Sequence, residues 1–140
     1  MAKTVFSFAF GARALLTTGL NQPFPLPQLT VRFWDNSEKH SQLYADAIPD
    51  TGADLSVLPH TDCSAINLFN SPYFTGVSSG VVGSSVTTLI YRAKAEIDGN
   101  RYPALIQPVP GGQERIVGRD VLNRLRVLFD GPRAQLIVDP

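Results

Sequence analysis

The sequence predicts a single, mainly β domain, and three observations predict it. Eleven prolines and eleven glycines are spread over 140 positions and cut the apolar content into short runs. Several runs alternate apolar and polar residues, the period of a half-buried strand. Only the stretch after Gly118 repeats apolar residues at helical spacing, so one short helix is expected near the carboxyl end. At 15.2 kDa the chain is large enough for one core and too small for two lobes.

In chain order, Phe6, Phe8 and Phe10 share one face of a first strand. Residues 11–22 read equally as a turn of helix or as loop. Pro23-Phe24-Pro25-Leu26-Pro27 reads as a stiff, extended connector. Residues 1–26 are therefore an amino-terminal strand with a Pro-rich connector, and residues 27–140 the main domain. Leu29, Val31 and Phe33 alternate with Thr30, Arg32 and Trp34, and the polar residues 35–40 turn this strand into one that ends at Asp50. Leu55-Ser56-Val57-Leu58 forms the next. Over residues 89–97, Leu89, Tyr91, Ala93, Ala95 and Ile97 share one face, and Ile90, Arg92, Lys94 and Glu96 the other. Asp98-Gly99-Asn100 turns this strand back into residues 102–109. Val121, Leu122, Leu125 and Leu128 predict the helix, and Asp130-Gly131-Pro132 the turn of a terminal hairpin.

Composition narrows the function. Net charge is zero and the twelve Lys and Arg are scattered, so no nucleic-acid partner is expected. One cysteine, Cys63, excludes an internal disulfide and a cysteine-built metal site. Two histidines, His40 and His60, are too few for a cluster, and neither metal nor cofactor is expected. Lys3 followed by residues 5–10 sketches an export signal, but Arg13 interrupts it and no small-residue cleavage site follows. No run is long enough to span a membrane. A soluble, cytoplasmic protein without a membrane partner is the expectation.

The chemistry concentrates in two segments. Asp50-Thr51-Gly52-Ala53-Asp54 presents a carboxylate on a small-residue turn between two strands, where Gly52 lets the backbone approach whatever that carboxylate touches. Alone the triplet says little, because Asp and Gly are ordinary turn residues. Ile116-Val117-Gly118-Arg119-Asp120 gives it meaning. Together the segments resemble the retropepsin-like aspartic proteases, single-lobe and homodimeric relatives of pepsin, over about residues 28–129. The resemblance implies a lobe of closed, orthogonal, barrel-like sheets with one short helix near the carboxyl end. It also implies an aspartic endopeptidase acting on extended peptide or protein substrates.

Roles follow from the resemblance, residue by residue. Asp50 would be the catalytic aspartate, Thr51 would brace the paired loops across a dimer, and Gly52 would offer its carbonyl to a substrate N–H. Asp54 would form a structural ion pair with Arg119. Gly52, Ala53 and Asp54 would contact substrate, together with Gly80, Val81, Val82, Val109 and Ile116. Residues 75–85, rich in glycine and serine, stand where the family has a mobile flap.

Hydrolysis by carboxyl groups needs two of them sharing one proton, one to activate water and one to protonate the leaving amine. This chain has a single D-T-G, and Asp130-Gly131 lacks the intervening Thr or Ser. The second Asp50 is therefore expected from another copy across a two-fold axis. Two positions depart from the family. Pro49 stands where an aliphatic residue is usual and removes a backbone donor. Ala53 stands where pepsin-like loops carry a hydroxyl that would favour the ionised carboxylate, so a milder working pH is expected. The alternative to a protease is a catalytically weak or inactive, protease-derived module for dimerisation or peptide binding.

Overall fold

The amino terminus enters as β1 (Thr4–Ser7) and β2 (Ala9–Phe10), and β3 (Pro25–Leu26) pairs antiparallel with β2. The computed structural model describes residues 3–10, 25–79 and 85–139. Residues 11–22, ambiguous in the sequence, lie outside the described residues. The Pro-rich connector is corrected in part: Pro25 and Leu26 form a ladder with Phe10 and Ala9. Proline is tolerated there because so short a pairing leaves an edge on which no further donor is required.

Alternation builds the main sheet as expected. β4 (Leu29–Asp35) buries Leu29, Val31 and Phe33, and a turn over residues 36–40 leads into β5 (Ser41–Pro49). Asp35 closes this turn from inside. Its carboxylate accepts the Lys39 and His40 N–H groups, each at 2.9 Å, and the Ser37 hydroxyl at 2.5 Å. Burial alone would raise the Asp35 carboxyl, but these hydrogen bonds outweigh it and hold the group at about 2.

After the loop at Asp50 come β6 (Ser56–Pro59), α1 (His60–Ala65) and a 3-10 turn over Leu68–Asn70. The sequence did not announce α1, because its N-cap is Pro59, which offers no capping side chain. It buries Cys63 beside Ile66 and Leu68. Burial, followed by the nearby Asp62, pushes the Cys63 thiol up to about 12, an inert core residue.

β7 (Tyr73–Ser79) pairs with the first half of β8 (Ser85–Ile97), whose second half pairs with β9 (Asn100–Val109) and β4. β10 (Ile116–Val117), α2 (Arg119–Leu122), β11 (Arg126–Asp130) and β12 (Gln135–Asp139) complete the chain. The strand order β4-β5-β10-β6-β9-β8-β7, with β4 also pairing β8, closes this seven-stranded sheet around the core. β12 lies between β1 and β11 in a separate three-stranded sheet that joins the two ends of the chain.

The face shared by Leu89, Tyr91, Ala93, Ala95 and Ile97 changes environment along β8: Ala93, Ala95 and Ile97 are buried, whereas Leu89 is exposed and Ile90, on the opposite face, is buried. The pattern breaks near Tyr91, where β8 exchanges β7 for β9 as its neighbour and leaves the body of the sheet. The helix is also shorter than its apolar spacing suggests. α2 ends at Leu122, and Leu128 belongs to β11, where it is exposed. Three-residue spacing matches both a helix and, after a tight turn, a new strand.

Candidate active site

The loop at Asp50 is fixed by its own backbone before any side chain acts. The Asp50 N–H donates to the Val117 carbonyl at 3.0 Å, and the Ala53 N–H returns to the Asp50 carbonyl at 3.2 Å. The Gly52 N–H donates to Asp50 Oδ1 at 2.8 Å, so the carboxylate's orientation is set by the turn that carries it. Thr51 and Gly52 are exposed, and Asp50 half-buried.

Proline at position 49 fits this geometry. Ile48 donates its N–H to the Arg115 carbonyl at 2.8 Å and Asp50 to that of Val117, so both flanking donors point at β10. The nitrogen between them points the other way, past the start of β4, whose first partner on β5 is Ala47. No ladder bond is lost.

β10 is the piece the sequence did not disclose. It slots between the strands on either side of the loop, parallel to β5 and antiparallel to β6. Gly118 follows at once, and a Cβ there would lie 2.4 Å from the Leu55 carbonyl oxygen and 3.0 Å from that of Ala53. Only glycine allows so close an approach. The Gly118 N–H donates to Ser56 Oγ at 3.2 Å, Ser56 Oγ donates to Asp120 Oδ1 at 2.9 Å, and the Leu105 N–H to Asp120 Oδ2 at 2.8 Å. Burial pushes the Asp120 carboxyl above the usual aspartate range, with the Leu105 and Ser56 hydrogen bonds opposing it.

Arg119 completes the brace. Its N–H donates to the Ala53 carbonyl at 2.9 Å, and its guanidinium donates to the Thr51 carbonyl at 2.8 Å and pairs with Asp54. A cation beside a helix start is unfavourable in itself, and here the loop carbonyl and carboxylate compensate it. Behind β10, Arg115 ties β5 to α1. It pairs with Asp46 at 2.9 Å and Asp62 at 2.7 Å, with its guanidinium 4.1 Å from the Tyr44 ring centroid. Burial, then Asp62, pushes the Tyr44 hydroxyl up to about 12.

A cleft of about 260 Å³ opens beside the loop. Ala53, Asp54, Leu55 and Val57 form one wall, Val77, Thr88 and Ile90 of the β7–β8 arm another, and Gln107 closes it. The structure thus brings Ala53 and Asp54 of the anticipated contact residues into this cleft, with Gly52 at the loop's tip. Ile116 lies in β10 opposite Ile48 and Val57. Val109 lines a second, larger and mainly apolar cleft of about 710 Å³ with His60, Phe69 and Tyr91; Thr88 and Gln107 border both clefts. Gly80, Val81 and Val82, at the centre of the anticipated flap, lie outside the described residues. Val57, Val77, Ile90 and Gln107 were not picked out in the sequence. For Val57 the period-two pattern next to D-T-G-A-D was an available signal; Val77 and Ile90 depend on how the arm folds back, and Gln107 on the pairing of β9 with β6.

No family model and no curated protein matches this sequence. Among solved structures, the fold is similar to the EIAV protease complexed with the inhibitor HBY-793. The TM-score is 0.51 at 23% identity, over 78% of this chain and 93% of that one. Identity at that level speaks to the fold. The chain has a retropepsin-like, all-β lobe.

Proposed function

We propose that this chain is an aspartic endopeptidase active as a homodimer, with the Asp50 carboxyl groups of two copies facing one water. The observation that carries this reading is the fixed presentation of Asp50 at a loop braced by Gly118 and Arg119, beside a cleft that extends under the β7–β8 arm. Fixing a carboxylate in advance is what electrostatic catalysis requires, since reorganisation at the moment of reaction would be costly.

In this reading one carboxylate takes a proton from the water as it attacks the scissile carbonyl. The other, protonated, supplies the leaving amine. Sharing a single proton between close carboxyl groups is the known behaviour of aspartic protease dyads. Thr51 braces the two loops, and the Gly52 carbonyl accepts a substrate N–H. Ala53, Asp54, Gly80, Val81, Val82, Val109 and Ile116 surround an extended peptide, and residues 75–85 close over it and exclude water. The reaction calls on no cofactor. Among the described residues no helix is long and apolar enough to cross a membrane.

A second reading keeps the groove and drops the chemistry: a protease-derived module that dimerises or captures a peptide strand. It is favoured by the open edge of β7, the last strand of the main sheet, which could accept a peptide by strand addition. Digestion of casein or a peptide library by wild type and Asp50→Asn, with a pepstatin-type inhibitor as control, separates the two. The protease reading expects cleavage that both changes abolish. Binding without cleavage in the wild type supports the second, and cleavage indifferent to the substitution removes the first.

A further inference from the structure

We propose that the larger cleft is a second binding site, which takes a neutral, planar aromatic molecule. The site goes beyond the protease reading and does not depend on it. It arises where two strands part. β8 and β9 pair from Ile97 and Asn100 as far as Tyr91 and Ile106. Beyond that point the earlier half of β8 keeps β7 as its neighbour, while β9 runs on beside β6 to Val109. The fork between them holds about 710 Å³. Thr87 to Leu89 line one side and Gln107 to Pro110 the other, and His60, Phe69 and Tyr91 complete the lining. That volume is within the range of about 300–1,000 Å³ usual for small-molecule sites.

Aromatic rings run into the fork as a chain. The His60 and Phe69 centroids lie 4.6 Å apart with the rings inclined by 35°, Tyr91 meets Phe69 edge-on at 5.3 Å, and Tyr73 lies 5.4 Å from Tyr91. Rings so arranged favour a further ring laid offset or edge-on against them, a gain that an aliphatic ligand does not share. Pro108 and Pro110 add flat, apolar surface on the β9 side. The arm contributes a bare wall. Tyr73 and Val77 stand opposite Tyr91 and Thr87, on the Leu89 face, and are 59% and 74% exposed, with Leu89 at 40%. An apolar strip left uncovered beside a cleft is surface that a bound molecule would bury.

Charge selects the ligand further. No Asp, Glu, Lys or Arg lines the fork, so a charged molecule would give up its hydration there and meet no counter-ion. Apart from His60, the polar side chains are amide and hydroxyl groups. Among the described residues, neither the Tyr91 hydroxyl nor the Gln107 amide has a hydrogen-bond partner, and both are placed to orient a polar substituent on the ring. Burial, then Tyr73, pushes the Tyr91 hydroxyl up, which keeps it protonated and able to donate. Thr88 and Gln107 also border the smaller cleft beside the Asp50 loop. A molecule in the fork would therefore tie the root of the arm to β9 at the point where the two clefts meet.

The probe for the test is N-phenyl-1-naphthylamine, a neutral aromatic amine whose fluorescence rises in apolar surroundings. Titrated into the full chain, it should bind saturably at one molecule per subunit. 8-Anilinonaphthalene-1-sulfonate, the same skeleton with a negative charge, should bind about tenfold or more weakly. His60→Asp and Leu89→Asp each put a carboxylate on the lining and should weaken binding of the neutral probe about tenfold or more. Leu43→Asp, at an exposed apolar position on β5 outside the cleft, should leave it unchanged. His60 is exposed and opens α1, where an acid suits the first helical turn, so that variant keeps its fold even if the arm does not tolerate Leu89→Asp. Circular dichroism matching wild type checks this. Unchanged affinity in His60→Asp, an equal loss in Leu43→Asp, or a sulfonate that binds as tightly as the neutral probe would overturn the site. Displacement of the probe by a pepstatin-type inhibitor would do so too, by making the fork part of the substrate groove. Fluorescence needs no turnover, so loss or persistence of cleavage in Asp50→Asn bears on the protease reading alone.

Discussion

The loop at Asp50 and the β7–β8 arm face each other across one cleft and are held in opposite ways. The loop is gripped from several directions: the Val117 carbonyl behind Asp50, the bare Cα of Gly118 under Leu55, Arg119 across Thr51 and Asp54, and a buried Ser56 hydrogen-bonded to the half-buried Asp120. The outer part of the arm depends on a single antiparallel ladder, and Tyr73, Phe74, Val77 and Leu89 on it are exposed. A chemical group that must be placed to within a fraction of an ångström needs the first arrangement. A wall that admits and releases a chain suits the second, since few buried contacts mean a low cost of local opening.

Substitutions can break this contrast, beginning with the largest effect. Under the proposed protease reading, Asp50→Asn should reduce peptide turnover by about 10²–10⁴-fold or more while leaving the thermal midpoint close to wild type, because it removes the proposed acid–base group and keeps the loop's shape. A midpoint fallen along with the activity would mean the carboxylate is structural. Gly118→Ala should destabilise by about 3 kcal/mol in denaturant titration, since its Cβ would meet main-chain carbonyls that cannot rotate away. On the arm, Gly76→Ala meets the far end of the Ile90 side chain, 2.3 Å from its Cδ1, and should cost about 1 kcal/mol as that chain shifts. Equal losses at the two glycines would erase the difference between loop and arm.

The β4–β5 turn offers a third degree of rigidity, read through pH. The folded Asp35 carboxyl is held at about 2 against an ordinary 3.8. Its contribution is present in full above the ordinary value and is lost as pH falls toward 2. About 2 kcal/mol of stability should disappear over that interval, and Asp35→Asn should flatten this part of the stability profile. A mutant profile parallel to wild type would contradict it. The smallest effect on stability is expected from Arg119→Ala. Its partner Asp54 is exposed, and such a pair contributes below ~1 kcal/mol. Its effect on turnover should be much larger, since Thr51 and the loop lose their cross-brace. A loss of turnover no greater than the loss of stability would mean that the brace positions nothing.

Much of the loop and little of the arm was legible in the sequence. Leu29, Val31 and Phe33 alternate because β4 has one face on the core along its whole length. β8 serves two environments in succession, so the face that buries Ala93 and Ala95 leaves Leu89 exposed, a change the alternation does not announce. D-T-G-A-D and V-G-R-D are visible as words, yet their meeting depends on β10, two residues long, entering between β5 and β6. No local propensity encodes such a contact; Gly118 was its only trace, and its reason is a carbonyl from the other segment. α1 lacked a capping side chain, and Leu128 kept helical spacing while belonging to a strand. Local patterns report local periods. The cleft is made of pairings they do not contain.

Everything turns on whether one copy of the loop suffices. Cleavage rate per subunit and the weight-average mass by sedimentation, followed over the same concentration series, give the direct answer. Rate should climb in step with the dimer fraction, with one dissociation constant describing both curves. Full cleavage at concentrations where only monomer sediments would contradict the account.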